Sequence, residues 1–449
     1  MERVIPKLAE DLETIVSQHP IKNDERSISM QITIIAPGSR GDVQPYVALG
    51  KGLKTAGHTV RLLTTHDFQD LVTAHSLDFF DVGGDMETIA RGMQTLLEQG
   101  NMLKILGKMS QAAQGMAGQA VVTGMTACQG SDLIIAGLGG LFVGLALSEK
   151  LGIPLVQAYL YPFSPTRAFP SVLMPLPQTH LPASINYLSH RLAQQMMWQT
   201  TRSADNRTRT KVLQLPPAPF WGPFTSPQHS TRPTLYGYSP QVIPTPVDWD
   251  KSIHVTGYWF LEPASDWEPP AALLEFLRSG PAPIYIGFGS IPNRRPEETA
   301  NLVLQALALT GQRGILSSGW GGLKVDDLPG NVFLVGSIPH TWLFPQMAAV
   351  IHHGGAGTTA AGLQAGIPSI LIPIFGDQPF WAQQVYELGV GPKPIPRNKL
   401  TVDRLTSSIQ EVLSDQKMIA HASDLGKRIR TENGIAQAVT VLERFALSK

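Results

Sequence analysis

Short unbroken runs of apolar residues recur along this chain, and most lead through a glycine-bearing turn into a stretch whose apolar positions return every three or four residues. A strand of a parallel sheet is covered on both faces and reads as a continuous apolar run, while the helix covering it keeps a 3.6-residue period. On that pattern the first half contains strands at Ile32–Ala36, Thr59–Thr64, Leu133–Ala136 and Leu155–Leu160. Helices are expected over Pro45–Ala56, closed by Gly57, and over Phe142–Leu151, closed by Gly152, with Gly38–Asp42 as a loop. The second half predicts strands at Ile284–Phe288, Gly314–Ser317, Val332–Val335, Ala348–Ile351 and Ser369–Ile374. Its helices are expected over Glu297–Leu309, from Thr358 to a C′ residue Gly366, and from Pro379 to Leu388. Strand alternating with helix predicts an α/β fold with two doubly wound, Rossmann-like domains facing across a cleft.

A chain of 449 residues exceeds what one core supports. The Pro-, Ser- and Thr-rich stretch 226–250 sets the expected division between a first domain over 29–245 and a second over 246–430, with an amphipathic extension over 1–28 and a C-terminal helix over 431–449. Lysine plus arginine and aspartate plus glutamate number 35 each, so net charge recommends neither nucleic acid nor an anionic membrane as partner. The run Leu133–Ser148 carries four glycines in 16 residues and falls short of a membrane span. In the extension, Glu2, Glu10, Asp11 and Glu13 outnumber Arg3 and Lys7, so peripheral membrane contact through it would be weak. A lone cysteine, Cys128, excludes an intrachain disulfide and fits a reducing cytoplasm.

The chemistry gathers at 348–382. A strand runs into His352-His353-Gly354-Gly355-Ala356-Gly357-Thr358, and a helix opens there. Small residues let an anion reach the unpaired N–H groups and the positive end of the helix dipole, which makes Gly355–Thr358 a candidate diphosphate site, with His353 and Thr358 as side-chain donors. Ser290, at the end of another strand, is a further phosphate contact. Asp377 and Gln378 at the next strand end suit the vicinal hydroxyls of a sugar. In the first half Asp42 is either a helix-start residue or a carboxylate able to take a proton from an attacking hydroxyl. Met93, Met102, Met109, Met116 and Met125 share a helical side, as packing filler or as a wall for a large apolar acceptor. Pro-rich loops at 161–182 and 215–227 would cover the same cleft, and Tyr159, Tyr161, Phe163 and Phe169 supply aromatic surface. Asp248-Trp249-Asp250 spells the metal-binding pattern DxD but lies in a proline-flanked linker.

The block His352-His353-Gly-Gly-Ala-Gly-Thr-Thr, followed by Phe375-Gly-Asp-Gln-Pro-Phe-Trp, resembles the donor signature of sterol 3-beta-glucosyltransferases within the UDP-sugar glycosyltransferases. Gly38-Ser39-Arg40-Gly41-Asp42-Val43-Gln44-Pro45 resembles the N-terminal loop of that family and of antibiotic glycosyltransferases, where the aspartate is assigned as base. The resemblance implies a GT-B fold whose last helix, about 403–447, crosses back to the first domain, with Trp320, Ser337 and Ile338 as uracil neighbours. It also implies an inverting transfer of glucose from UDP-glucose to a hydroxyl of a sterol-like or other large apolar acceptor, without cofactor or metal. The alternatives are a macrolide, polyketide or glycopeptide glycosyltransferase, a UDP-sugar epimerase of the same fold, and an idle sugar-nucleotide sensor.

Overall fold

The computed structural model describes residues 29–84, 102–174, 176, 181–226, 232–264, 267–288, 296–317 and 328–447, without the side chains of 102–106, 109 and 296. The expected extension 1–28, Met93, Ser290 and Trp320 therefore lie outside the described residues, as do the side chains of Met102 and Met109.

Two all-parallel sheets organise the described residues. The first has the order β3-β2-β1-β4-β5-β6-β7, with β1 Gln31–Ile35, β2 Thr59–Thr64, β3 Asp78–Asp81, β4 Leu133–Ala136, β5 Leu155–Tyr159, β6 Thr234–Tyr236 and β7 Ile253–Val255. The second has the order β10-β9-β8-β11-β12, with β8 Ile284–Gly287, β9 Gly314–Ser317, β10 Val332–Val335, β11 Ala349–His352 and β12 Ser369–Leu371. The helices are α1 Arg40–Thr55, α2 Gln69–Ala74, α3 Met102–Ala127, α4 Leu141–Leu151, α5 Ala183–Lys211, α6 Ala271–Arg278, α7 Pro296–Thr310, α8 His340–Leu343, α9 Ala356–Ala365, α10 Gln378–Glu387, α11 Val402–Ser414, α12 Gln416–Arg430 and α13 Gly434–Leu447. None among the described residues is long and apolar enough to cross a membrane.

Strands that read as unbroken apolar runs fall within a few residues of their expected bounds, because both faces of each sheet are buried. Three expectations are corrected. The first sheet continues past the division expected at 245/246, since Ile253–Val255 pairs with β6. Helix α1 starts at Arg40 and contains Pro45, so Gly41 and Asp42 belong to its first turn and not to a loop. The single helix expected over 403–447 is three helices. Asp415 ends α11 and caps α12, its Oδ1 accepting from Lys417 N at 2.9 Å and Met418 N at 3.1 Å, and Asn433 Oδ1 accepts from Ala436 N at the start of α13.

The last of these helices does return to the first half. Ala438, Val439 and Leu442 are buried in one cluster with Ile32 and Ile34 of β1 and with Val47 and Leu49 of α1. Gly434 makes the approach close, since a Cβ there would fall 2.5 Å from the Tyr258 carbonyl oxygen. Leu442 is fully buried, so Leu442→Ala is expected to lower unfolding free energy by about 2–5 kcal/mol. Urea melts followed by first-half fluorescence check this, and an unchanged midpoint would contradict the packing.

Candidate active site

In each sheet the strand order reverses at one point, between β1 and β4 in the first and between β8 and β11 in the second. Connections leave such a point in opposite directions and open a crevice at the strand ends. Chain segments leaving β1, β4, β11 and β12 carry the chemistry.

After β1, Ser39 caps α1 and Asp42 sits at its third position. Asp42 Oδ2 accepts from Ser39 N at 2.9 Å and from Ser39 Oγ at 2.8 Å. Glycine at 38 makes room, because a Cβ there would fall 2.6 Å from Asp42 Cβ. Burial raises the Asp42 pKa, and the two Ser39 donors oppose the shift. One turn on, the Tyr46 hydroxyl donates to Ala158 O at 2.6 Å, and its ring edge meets Trp259 at 5.8 Å between centroids. A cavity of about 20 Å³, with room for one water, is lined by Asp42, Tyr46, Tyr161, Leu138 and the small residues Gly137 and Gly139.

After β11, Gly354 takes φ +90° and Gly355 caps α9. A Cβ on Gly355 would fall 2.6 Å from His353 Nε2, so the imidazole lies directly on the first turn of α9, with its Nδ1 buried and lacking a hydrogen-bond partner. Helix α9 starts two residues before the expected Thr358, and Ala356, Gly357 and Thr358 form its first turn. Burial pushes the His353 pKa down to about 4, the Gly287 backbone opposing. His340 is likewise held near 4 by burial, with Arg40 and His353 adding to the effect, and His352 lies well below its usual value. These rings are neutral at pH 7. The donor expected at His353 is therefore a neutral imidazole, and a fixed positive end comes from the N–H groups of α9.

After β12, Asp377 precedes α10. Its Oδ2 accepts from the buried Trp381 indole at 2.8 Å. Burial drives its pKa up to about 7, Trp381 opposing and the Asp42 charge adding to the rise. The same two carboxylates raise the pKa of the Tyr161 hydroxyl further above what burial alone gives. Asp42 and Asp377, from opposite halves, thus share one crevice with Tyr161. Gln378 is buried and its Oε1 accepts from Ile374 N at 2.8 Å and Phe375 N at 3.3 Å, so the amide oxygen is engaged by the strand end. Pro379 is the second residue of α10, not the first.

Other expected residues are placed differently. Ser337 Oγ accepts from Arg40 Nη1 at 2.5 Å across the crevice. Ile338 packs against the second-half core beside Trp342. Phe163 is a core residue and not an acceptor wall, its ring enclosed by Tyr159 at 5.3 Å and Phe224 at 5.6 Å. Met116 packs under Gly84, where a Cβ would meet its sulfur at 2.8 Å, so its described role is packing. Asp248 is bound by Thr166 Oγ1 at 2.7 Å and Arg167 N at 2.8 Å, Trp249 stacks on Tyr236, and Asp250 binds Ser252, so DxD holds a turn.

Sequence reading passed over Arg40, Tyr46 and the contact of Phe169 with Phe380, 5.8 Å between ring centroids, which joins the halves. The signal for the first two was present. Ser39-x-x-Asp42 has the spacing of a capping box, which would have started the helix at residue 40 and put Tyr46 one turn after Asp42.

Residues 32–170 match the Glycosyltransferase family 28 N-terminal domain, and residues 320–442 the erythromycin biosynthesis protein CIII-like C-terminal domain. Two sterol 3-beta-glucosyltransferases of Arabidopsis thaliana are 37% and 38% identical over 96% and 91% of this chain, which spans 71% and 64% of them. One of Cryptococcus neoformans is 38% identical over 92% of the chain, which spans 27% of that longer protein. Among solved structures, the glycotransferase of kitacinnamycin matches with a TM-score of 0.66 at 19% identity, covering 93% of this chain and 99% of that one. The calicheamicin glycosyltransferase matches with 0.66 at 18%, covering 94% and 99%. A GT-B fold with facing parallel sheets, and relatives of this identity over nearly the whole chain, establish that the chain belongs to the glycosyltransferase family of the sterol 3-beta-glucosyltransferases.

Proposed function

We propose that this enzyme transfers glucose from UDP-glucose to the hydroxyl of a sterol, in one displacement that inverts the anomeric carbon and needs no metal. The observation that carries the reading is the convergence of Asp42 and Asp377 from opposite halves on one crevice beside Tyr161. Asp42 is the base. Burial makes it a better proton acceptor than a solvated carboxylate, while Ser39 holds its orientation. As the acceptor oxygen attacks, charge builds on the departing diphosphate, and the amides of Gly355–Thr358 with the buried Nδ1 of His353 are disposed to receive it. A neutral His353 contributes a hydrogen bond, and an arriving diphosphate would raise its proton affinity. Asp377 and the Gln378 amide are assigned to sugar hydroxyls. The sterol acceptor rests on the named relatives, and Tyr161 and Leu160 on the cavity wall give it an apolar and aromatic approach to Asp42.

The direct test offers UDP-glucose with a sterol, a macrolide or a glycopeptide aglycone. Sterol glucoside is the expected product, and turnover confined to the other two would overturn the acceptor. Without acceptor no new UDP-sugar should form, whereas an epimerase would make one.

Asp42→Asn retains an oxygen for Ser39 but cannot take the proton. Turnover should fall about 10²–10⁴-fold with UDP-glucose affinity nearly unchanged. Turnover within threefold of the original would remove Asp42 from the mechanism.

Asp377 gives a pH signature. Its carboxyl ionises at about 7 in the free protein, so UDP-glucose affinity should fall as pH drops from 8 to 6 while UDP affinity does not follow it. Asp377→Asn should flatten that dependence. For stability the sign is opposite: the folded carboxyl keeps its proton to about 7 and the unfolded one to about 4, so the folded state binds more protons between them and loses stability as pH rises through that window. The Tm advantage of Asp377→Asn should therefore grow from pH 5 to pH 8, and a constant difference would contradict the buried carboxyl.

A further inference from the structure

Helix α5 is amphipathic the wrong way round. Its buried positions include the polar Asn186, Ser189, His190 and Gln194, whereas Ile185, Leu188 and Leu192 stand 45%, 65% and 47% exposed. The polar side is occupied. Asn186 Nδ2 donates to Arg167 O, Ser189 Oγ accepts from Ser171 N, His190 Nε2 bonds Phe169 O, and Gln194 Nε2 donates to Phe163 O, so this side holds the loop that carries Tyr161 and Phe169 at the crevice.

The outer side continues in line. At 100° per residue, positions 185, 188, 192, 195, 199 and 202 fall within an arc of about 100° and span about 26 Å. Gln195 and Gln199 donate to Phe220 O at 3.2 and 2.8 Å, and the Arg202 guanidinium lies 5.2 Å over the Phe220 ring. They seat an edge-to-face pair, Phe220 and Trp221, that is itself 52% and 60% exposed. One aliphatic stripe thus ends in two exposed aromatic rings. Its flanks are cationic: from Tyr161 to Ala204 the sequence has Arg167, Arg191 and Arg202 and not one aspartate or glutamate, in a chain whose charges balance.

We propose that this face of α5, with Phe220 and Trp221, docks on the surface of a lipid bilayer containing anionic lipids. Aliphatic side chains along one helix side, aromatic rings beside them and a rim of arginine match the depth profile of a bilayer interface. A symmetric dimer through the same face would bring the arginines of one copy towards those of the other, with Asp248 beside Arg167 offsetting that residue alone, which disfavours a second copy as the occupant. The face stands on geometry, and its use rests on the proposed sterol acceptor: docked, α5 brings the acceptor loop on its other side to the bilayer in which a sterol lies.

The test measures co-sedimentation of the full chain with phosphatidylcholine vesicles lacking sterol, with and without phosphatidylserine, for the original protein, for Leu188→Glu with Leu192→Glu, and for Arg167→Gln with Arg202→Gln. Circular dichroism checks that each variant folds. We expect binding that phosphatidylserine strengthens, a loss of about tenfold or more in the glutamate pair, and loss of the phosphatidylserine effect in the glutamine pair. In assays with sterol, the glutamate pair should be slow on vesicle-embedded sterol and unimpaired on sterol delivered by cyclodextrin. Vesicle binding unchanged in the glutamate pair would overturn the proposal, as would a dimer in sedimentation equilibrium that the same substitutions dissolve. If the binding pattern appears but neither presentation of sterol is glucosylated, docking is upheld and the acceptor reading is the one that fails.

Discussion

Asp42 Oδ2 takes two hydrogen bonds from Ser39, and much of the crevice follows from that pair. It starts α1 directly after the first strand, in spite of Pro45, which has no N–H for the Gly41 carbonyl. With the start fixed, Arg40 points across the crevice to Ser337 and Tyr46 stands one turn behind the carboxylate. The arrangement also balances the carboxylate electrically. Burial alone would push its proton affinity up, and donors alone would lower it until it could no longer accept a proton. Both act here, and burial is the larger. Asp377 repeats the design in the other half, with the Trp381 indole in place of Ser39.

Most of the sheet architecture was legible because a doubly covered strand has no polar face to blur its pattern. Where a segment departs from that condition, reading failed for identifiable reasons. Strand β7 is three half-buried residues at a sheet edge beside a proline-rich stretch, so nothing in its pattern marked it. The run from 402 to 447 keeps a helical period almost throughout, and its breaks lie in single capping residues, Asp415 and Asn433. Phe163 looked accessible because it stands in a proline-rich loop; only its neighbours in space, Tyr159 and Phe224, show it to be core.

The candidate site divides along the same line. Which segments stand at the strand ends was written in the spacing of glycines and helix starts, although Asp42 and Gln378 lie in the first turns of their helices and not in the turns before them. What they do electrically was not. A histidine beside a phosphate-binding turn reads as a cation, yet burial leaves His353 neutral and Asp377 half-protonated near pH 7. Burial is a property of the assembled halves, and no local pattern reports it. The same holds for α5, whose inverted amphipathicity is meaningful only once the loop on its polar side is known.

The return of α13 bears on how such enzymes can be recombined. Ala438, Val439 and Leu442 complete the core around β1 and α1, although hundreds of residues of chain separate them from it. A single crossover between relatives, placed anywhere between the two sheets, would therefore pair one parent's first half with the other parent's closing helix and mismatch the core on that face. An exchange of the first half needs two junctions, one after Val255 and one just before Gly434, so that the helix travels with the sheet it covers. The exchangeable unit of the first half is thus a discontinuous one.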